Sequence, residues 1–515
     1  MELIKLEDQE AYKGKRIICI GGTEAYLDEL CERYDDIAGH IAAVLQDHPR
    51  SHGTVRAADR EIPVHGLNDL RQCELRNTII LITDDYYNEY FQKLCSLLEK
   101  DEAVERVYFF ANRETEYELA YRARYGLWPL EDIVVFRSGP HAGGYVKGMD
   151  FSDNARALFE YMLSVGLNGK YKLVWLVRNP EEFQSYEKYQ NVFFLPFSAS
   201  GSGDISVRDL YYKTLCLAKY FFFTDAYGFV RNCRPDQVRV QLWHGCGYKR
   251  RLNTVSCEKR YDFMTVTSPL YARLHAEEFG LKEHQMLVTG CAKTDWLFEA
   301  EAATPEVLGI PRTHKYIFWL PTYRFSEKKM NKPVDGVLKA DTGLPLISDR
   351  EELEQINRKL EENDMVLVIK PHPFQDVTAI HVKGFSNIKL LEQEILLEKD
   401  IQMNQILGMA DALISDYSSA AVDYLLLNRP MAFCVEDAGS YADSRGFIFD
   451  DILEWLPGKL IFGAADLMEF IDATGSGLDE EREKRSVLRD KMHRYQDGNS
   501  CRRILEAVGI IEGTK

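Results

Sequence analysis

Short apolar runs alternate with stretches of helical spacing along most of the chain. The first run is "KRIICI" (Lys15 to Ile20); "GGT" follows, and "EAYLDELCERY" then repeats apolar residues at helical intervals. "NTIILIT" (Asn77 to Thr83), a helical pattern from Asp85 to Leu98, and "ERVYFF" continue the alternation. A second block opens near Ile133 with "DIVVFRS" and the helical "DNARALFEYMLSVG". It runs on through "YKLVWLV", "NVFFLPF", the helical "VRDLYYKTLCLA", "KYFFFTD", "QVRVQLW" and "YDFMTVTS", and closes near Phe298. The polar stretch Glu299 to Pro311 reads as a linker. A third block holds "KYIFWLPTYR", a helix over Asp349 to Asn363, "MVLVIKPHPF", "NIKLL", "ADALISDYSSAAVDYLLL" and "PMAFCVED". Apolar strands separated by helices predict parallel sheets. The last pattern, Asp479 to Gly509, is a charged helix with no core of its own, which has to pack back on the rest.

A chain of 515 residues exceeds one ordinary core. The expected division is a Rossmann-like accessory domain over 1–126, two α/β lobes over 127–300 and 301–476, and a helical segment over 477–515. Two such lobes in succession face each other across a cleft, and ligands sit at the carboxyl ends of their strands. The acidic excess, 81 acidic against 63 basic residues for a net charge of −18, excludes general nucleic-acid binding, so any anion site must be built locally. No apolar stretch approaches the roughly 18–20 residues of a spanning helix. The charged start "MELIKLEDQEAYKGK" is wrong for a secretory signal. Eleven unpatterned cysteines fit buried thiols in a reducing cytosol better than disulfides or zinc.

Four apolar strands end in polar chemistry: Leu242-Trp243 into His244-Gly245, Trp319-Leu320 into Pro321-Thr322-Tyr323-Arg324, Val368-Ile369 into Lys370-Pro371-His372-Pro373, and Leu413-Ile414 into Ser415-Asp416-Tyr417-Ser418-Ser419. At the carboxyl ends of parallel strands they converge on one cleft. His244 is a titratable group beside a permissive glycine, which suits a base facing substrate; a buried, satisfied histidine is the ordinary alternative. The two prolines around His372 restrict where its imidazole points and suit a donor to a phosphate oxygen. Ser418 and Ser419 open a helix whose first amides and hydroxyls favour a diphosphate, and Ser415 or Asp416 could equally cap that helix. Arg324 can fork onto a phosphate, or form a surface ion pair. Lys249, Arg250 and Arg251 face an anionic acceptor or are simply a solvated face. Gly21-Gly22-Thr23 lacks a full dinucleotide fingerprint, which leaves an anion turn or packing glycines. No carboxylate pair or ligand cluster calls for a metal, and no cofactor is expected. Any magnesium would arrive with the substrate.

"DNARALFEYM", "VQLWHGCGYKR", "TGCAKTDWLF", "PTYR", "KPHP" and "ISDYSSAAVDYLLLNRP" follow the order and spacing of the CDP-glycerol glycerophosphotransferase family, the teichoic acid primases and polymerases. The resemblance covers roughly Asp132 to Ile510. It implies a GT-B-type fold, with an acceptor lobe over 127–300 and a CDP-donor lobe over 301–476. It implies a catalytic pair of His244, as general base, and His372, on the donor phosphates, with Ser418, Ser419, Ser415, Thr322 and Arg324 binding the donor beside it. Lys249, Lys293 and Asp295 fall on the acceptor or phosphate side; Lys293 stands where the family's Gly-x-Pro-Arg-x-Asp motif has arginine, keeping the charge but not the planar fork. The implied reaction takes a CDP-alcohol, CDP-glycerol foremost, to a lipid-linked or glycan acceptor and releases CMP. The enzyme would work in the cytoplasm, held peripherally on the inner face of the membrane. The N-terminal block lies outside these motifs; "DDIAGHIAA" and "REIPVHGLNDL" resemble small Rossmann-type domains attached to sugar-nucleotide enzymes. Two other readings stand beside this one: a GT-B glycosyltransferase or nucleotide-sugar epimerase, and a nucleotide-binding protein without turnover, against which the four intact strand tips speak.

Overall fold

The computed structural model describes the whole chain except residues 47–52, 99–103, 140–147, 225–229, 231–232, 251–259, 300–303, 322–341, 373–374, 376, 445 and 514–515. Three separate sheets organise it. The first contains β1 (Glu2–Lys5), β2 (Arg16–Gly21), β3 (Ile41–Gln46), β4 (Thr54–Ala57), β5 (Arg60–Gly66), β6 (Thr78–Thr83) and β7 (Arg106–Phe109), in the order β1-β7-β6-β2-β3-β5-β4. Its pairs are parallel except β4 with β5, a hairpin at one edge. β1 is not among the strands the pattern predicts: "ELIK" is a half-buried edge strand without an apolar run.

The second sheet holds β8 (Glu131–Arg137), β9 (Lys172–Val177), β10 (Val192–Pro196), β11 (Ala218–Phe223), β12 (Val238–Gln241), β13 (Phe263–Val266) and β14 (Met286–Val288), ordered β10-β9-β8-β11-β12-β13-β14. The third holds β15 (Lys315–Trp319), β16 (Met365–Ile369), β17 (Ile388–Leu390), β18 (Ala412–Ser415), β19 (Met431–Cys434) and β20 (Lys459–Ile461), ordered β17-β16-β15-β18-β19-β20. All pairs in these two sheets are parallel. Strands buried on both faces explain the unbroken apolar runs, such as "MVLVI". In the third sheet the order reverses between β15 and β18, and at such a reversal the connections diverge and open a crevice beyond the strand ends.

The lobes around the second and third sheets share one apolar cluster, which includes Phe221 and Phe223 of one and Phe318 and Phe433 of the other. The single terminal helix expected from the sequence is two helices, Arg482–Met492 and Ser500–Ala507. Ile504 and Leu505 of the second join the core of Trp175 and Phe136 in the middle lobe. The helix Arg113–Tyr125, at the end of the first block, lays Tyr117 and Tyr121 against Tyr212 of the middle lobe at ring separations of 5.5 and 5.2 Å. Arg260 of the middle lobe in turn stands 3.6 Å above the Tyr86 ring and 3.5 Å from Glu89 of the first block.

Gly21 ends β2 and Gly22 follows it, with φ of +83° and +82°. A Cβ on Gly21 would lie 2.7 Å from that of Asp84, and one on Gly22 would lie 2.9 Å from Thr83 Oγ1. Close approach to the neighbouring strand is what these glycines permit, which accords with the packing alternative.

Candidate active site

β12 ends at Gln241, and the chain then bends sharply. Trp243 takes φ +52°, a left-handed conformation rare for a bulky residue, and Gly245 follows at φ +107°. The fully buried Asn154 side chain steadies this bend. Its amide nitrogen donates to the carbonyls of Leu242 (3.3 Å) and Trp243 (2.9 Å), and its oxygen accepts from the backbone N–H of Lys293 (3.0 Å). The Trp243 ring packs edge-on against Phe279 at 4.9 Å. Backbone strain of about 1–3 kcal/mol per residue persists only where the surroundings over-determine it, and here it presents His244 at the lobe's surface.

The His244 ring is tied to Asp153, the first residue of the helix Asp153–Ser164, with Nδ1 2.8 Å from Oδ2. A carboxylate can only accept, so Nδ1 carries the proton and Nε2 is the basic nitrogen. The other Asp153 oxygen is 3.1 Å from Lys293 Nζ. Burial works to raise the Asp153 carboxyl, yet the Lys293 ammonium and the His244 hydrogen bond outweigh it and hold the group well below the usual carboxylate range. Lys293 Nζ also donates to the His244 carbonyl at 2.6 Å and lies 3.4 Å from Asp423 Oδ2 in the third-sheet lobe. Burial opposes its charge, but the two carboxylates prevail and keep it protonated.

Asp423 belongs to the helix Ser419–Tyr424, which follows β18. The cap of that helix is Ser418, whose Oγ accepts from the Ala420 N–H at 3.3 Å; the helix starts too late for Ser415 or Asp416 to fill that role. Ser415 is fully buried at the end of β18, with an Oγ that makes no hydrogen bond. The His244 bend comes directly against this helix, since a Cβ on Gly247 would lie 3.1 Å from that of Ser419. His372 is half-buried after β16, and its carbonyl accepts from the Gln375 N–H at 2.8 Å. Beside it Lys370 is buried, donates to the Pro371 carbonyl at 2.9 Å, and is held down to about 8 by desolvation.

Other expected residues are engaged elsewhere. Asp295 accepts from the Ser500 and Cys501 N–H groups, both at 2.8 Å, and so caps the helix Ser500–Ala507. The segment after Gly245 crosses to the third-sheet lobe. Tyr248 is fully buried against Phe433 and Phe449, its carbonyl accepts from Ile448 N–H (2.9 Å), and Arg250 N–H donates to the Gly446 carbonyl (3.0 Å). Lys249 Nζ stands 5.5 Å from the Tyr441 ring centre. Thr322, Arg324 and Arg251 lie outside the described residues. Asp153, Asn154, Lys370 and Asp423 are additions to the expected set; all lie inside motifs the sequence displays, but the partners of Asp153, Asn154 and Asp423 are remote in the chain. Among the described residues no group of three or more His, Cys, Asp or Glu side chains could hold a metal ion.

Two parallel-sheet lobes, with polar strand tips meeting where a bend of one abuts a helix of the other, define a GT-B-type fold. The structure of the wall teichoic acid polymerase TagF shares it, with a TM-score of 0.57 at 18% identity over 82% of this chain and 98% of that one. Residues 133–509 match the family described as CDP-Glycerol:Poly(glycerophosphate) glycerophosphotransferase, and the chain belongs to that family. It is similar to teichoic acid ribitol-phosphate polymerase TarK of Staphylococcus aureus, 28% identical over 315 residues that make up 56% of each chain. It is also similar to the teichoic acid glycerol-phosphate primase of Bacillus subtilis, 26% identical over 314 residues, 58% of this chain and 73% of that one. The chain thus spans only a little over half the length of the first of these relatives.

Proposed function

We propose that the chain transfers a polyol phosphate, glycerol phosphate foremost, from a CDP-alcohol to an acceptor hydroxyl in teichoic-acid-like polymer synthesis. The observation that carries this is the His244–Asp153 pair on a strained bend, pressed against the Ser419 helix of the opposite lobe. Nε2 of His244 takes the proton of the acceptor hydroxyl as its oxygen attacks the β-phosphorus. The bond from that phosphorus to the oxygen bridging to the α-phosphate breaks, and CMP leaves with the electron pair. Asp153 holds the imidazole in its productive tautomer and balances the imidazolium that forms. Phosphoryl transfer of this kind needs alignment and charge neutralisation above all. Ser418, Ser419, His372 and Arg324 are the groups proposed for the donor phosphates, with Thr322 and Ser415 behind them and Lys370 added. Lys249 is proposed for the acceptor side, whereas Lys293 and Asp295 serve the architecture.

The acceptor in this reading is a lipid-linked polymer on the cytoplasmic face, met by peripheral association. No helix among the described residues is long and apolar enough to cross a membrane. An apolar-and-basic surface exists at Leu127 and Trp128, both exposed, with Lys213 Nζ 5.7 Å from the Trp128 ring. The test of the chemistry is CMP release and product mass for a panel of CDP-alcohols, with His244→Ala beside wild type. The expected loss is about 10²- to 10⁴-fold. Turnover retained in a folded His244→Ala protein refutes the assignment of the base.

A further inference from the structure

The described structure holds one buried charge cluster that joins the two lobes at the His244 bend, and Asp423 is its least comfortable member. Its carboxylate is 1% exposed; Oδ2 is 3.4 Å from Lys293 Nζ and 3.4 Å from Asn404 Nδ2, and Oδ1 accepts no hydrogen bond. Two carboxylates, Asp153 and Asp423, share one ammonium. Such a pair is a poor device for stability, because breaking even with a buried ion pair takes good geometry and full hydrogen bonding. The cluster also sits in a telling place. A Cβ on Gly245 would lie 3.4 Å from Asp423 Oδ1 and 3.6 Å from Lys293 Nζ, so the peptide next to His244 lies directly over the pair.

The helix Ser419–Tyr424 is short and fastened at both ends. Ser418 caps its start, and near its end the Val422 carbonyl accepts from Nε2 of His493, at 2.7 Å, whose imidazole burial pushes down to about 4 and keeps neutral. One end of this rigid piece carries the two serines and the other carries Asp423. From Asp423 the contacts run to Lys293, and from Lys293 to both the His244 carbonyl and the Asp153 carboxylate that orients the His244 ring.

We propose that Asp423 is a positioning residue for the transfer: through Lys293 it holds the His244 bend of one lobe in register with the Ser418–Ser419 end of the helix in the other. This rests on the reading of His244 as the base and of the serines as donor contacts. Asp423 touches neither substrate; it fixes the distance between the proton acceptor and the phosphorus, so its loss lowers kcat and leaves donor binding in place.

A double-mutant cycle on the full chain tests it, with Asp423→Asn, Lys293→Met and the two combined, read as steady-state CMP release from CDP-glycerol. Asp423→Asn is expected to lower kcat by about tenfold to a hundredfold, since misplacement by an ångström has that effect, with KM for CDP-glycerol within about twofold. The double variant is expected to match Lys293→Met within about twofold, because Asp423 acts only through that lysine. Losses that multiply in the double variant overturn the proposal. So does a raised KM at unchanged kcat, or a fall in melting temperature with kcat intact. Should Asp423→Asn not fold, Asp423→Glu keeps the charge and displaces it by one methylene: a kcat loss at constant KM supports the proposal, and an unchanged kcat overturns it. His244→Ala separates the layers: an active His244→Ala protein refutes the underlying reading, whereas an inactive one with multiplicative losses in the cycle refutes the role of Asp423 alone.

Discussion

Asp153→Asn tests the centre of the proposed chemistry with almost no change of shape. In the wild type Oδ2 accepts from His244 Nδ1–H at 2.8 Å and Oδ1 meets Lys293 Nζ at 3.1 Å. An amide has one oxygen and one NH2. An ammonium and an NH2 are both donors and cannot face each other, so the oxygen turns to Lys293 and the NH2 turns to the imidazole. Nδ1 must then accept, the ring proton moves to Nε2, and the nitrogen that should take the acceptor's proton is no longer a base. Recovering the productive tautomer costs a charge-assisted hydrogen bond of about 1.5–3 kcal/mol. The imidazolium of the transition state also loses a counter-charge, about 4 kcal/mol at ~4 Å for an effective dielectric near 20. Taken singly these losses are about 10- to 10³-fold and together they reach about 10⁴-fold or more, so kcat should fall by at least about tenfold and by up to the roughly 10⁴-fold that general-base catalysis contributes at most. KM for CDP-glycerol should stay within about threefold, because the groups proposed for the donor phosphates stand on the other lobe. The assay is CMP release under saturating donor, with circular dichroism to confirm the fold. A folded variant whose kcat is within about fivefold of wild type would show that Asp153 does not set the tautomer.

Three further outcomes are expected. Lys293→Met leaves two buried carboxylates without their cation and should destabilise the protein by about 3–5 kcal/mol at neutral pH. The depressed Asp153 carboxyl now stabilises the fold above the ordinary carboxylate range and loses that contribution as pH falls. Without Lys293 both carboxyls rise, so the variant should gain stability on acidification from neutral towards mildly acid pH, and denaturant titrations in which it loses stability in parallel with wild type would refute this. Lys370, held down to about 8, is neutral above that pH in the free protein, and an adjoining diphosphate would restore its charge. Donor binding above that pH should therefore take up a proton and weaken as pH rises, and calorimetry in buffers of different ionisation enthalpy showing no proton uptake would place the diphosphate elsewhere. A chain starting at Asn112 should keep CMP release, whereas one starting at Leu127 loses the Tyr117 and Tyr121 contacts and the Tyr212–Glu114 hydrogen bond, roughly 2–5 kcal/mol in all. Equal melting temperatures for the two would show that this helix is not part of the middle lobe's support.

The architecture was legible because buried parallel strands cannot hide: "KYFFF", "MVLVI" and "TIILI" declare themselves, and helices fall between them. β1 escaped because an edge strand needs no apolar run. His244 was legible as a polar group ending a buried strand. Its partner was not, since Asp153 lies 91 positions away and opens a helix that reads as ordinary amphipathic sequence. Asp423 was hidden differently, as a single acid in an otherwise apolar run that suggests a solvent-facing position until the other lobe closes over it. Asp295 shows the reverse: placed by its motif among substrate contacts, it spends both oxygens on the start of a helix some 200 residues later. Pattern and spacing report what a strand or helix is; they do not report which distant backbone will claim a carboxylate.

The return of the helix Ser500–Ala507 to the middle lobe also bears on how the protein is made. All strands of that lobe have been synthesised by Val288, yet the face occupied by Ile504 and Leu505 stays open until the last stretch of chain appears. In the interval the ribosome delivers the entire third sheet, which has every strand it needs by Ile461. Domains generally fold as units in the order they emerge. Here the order of completion is inverted: the later lobe can close first, while the earlier one waits with the outer side of the helix Asp153–Ser164 and the segment Ala292–Phe298 uncovered. Until then that exposed face is the part of the nascent chain on which a chaperone would have most reason to act.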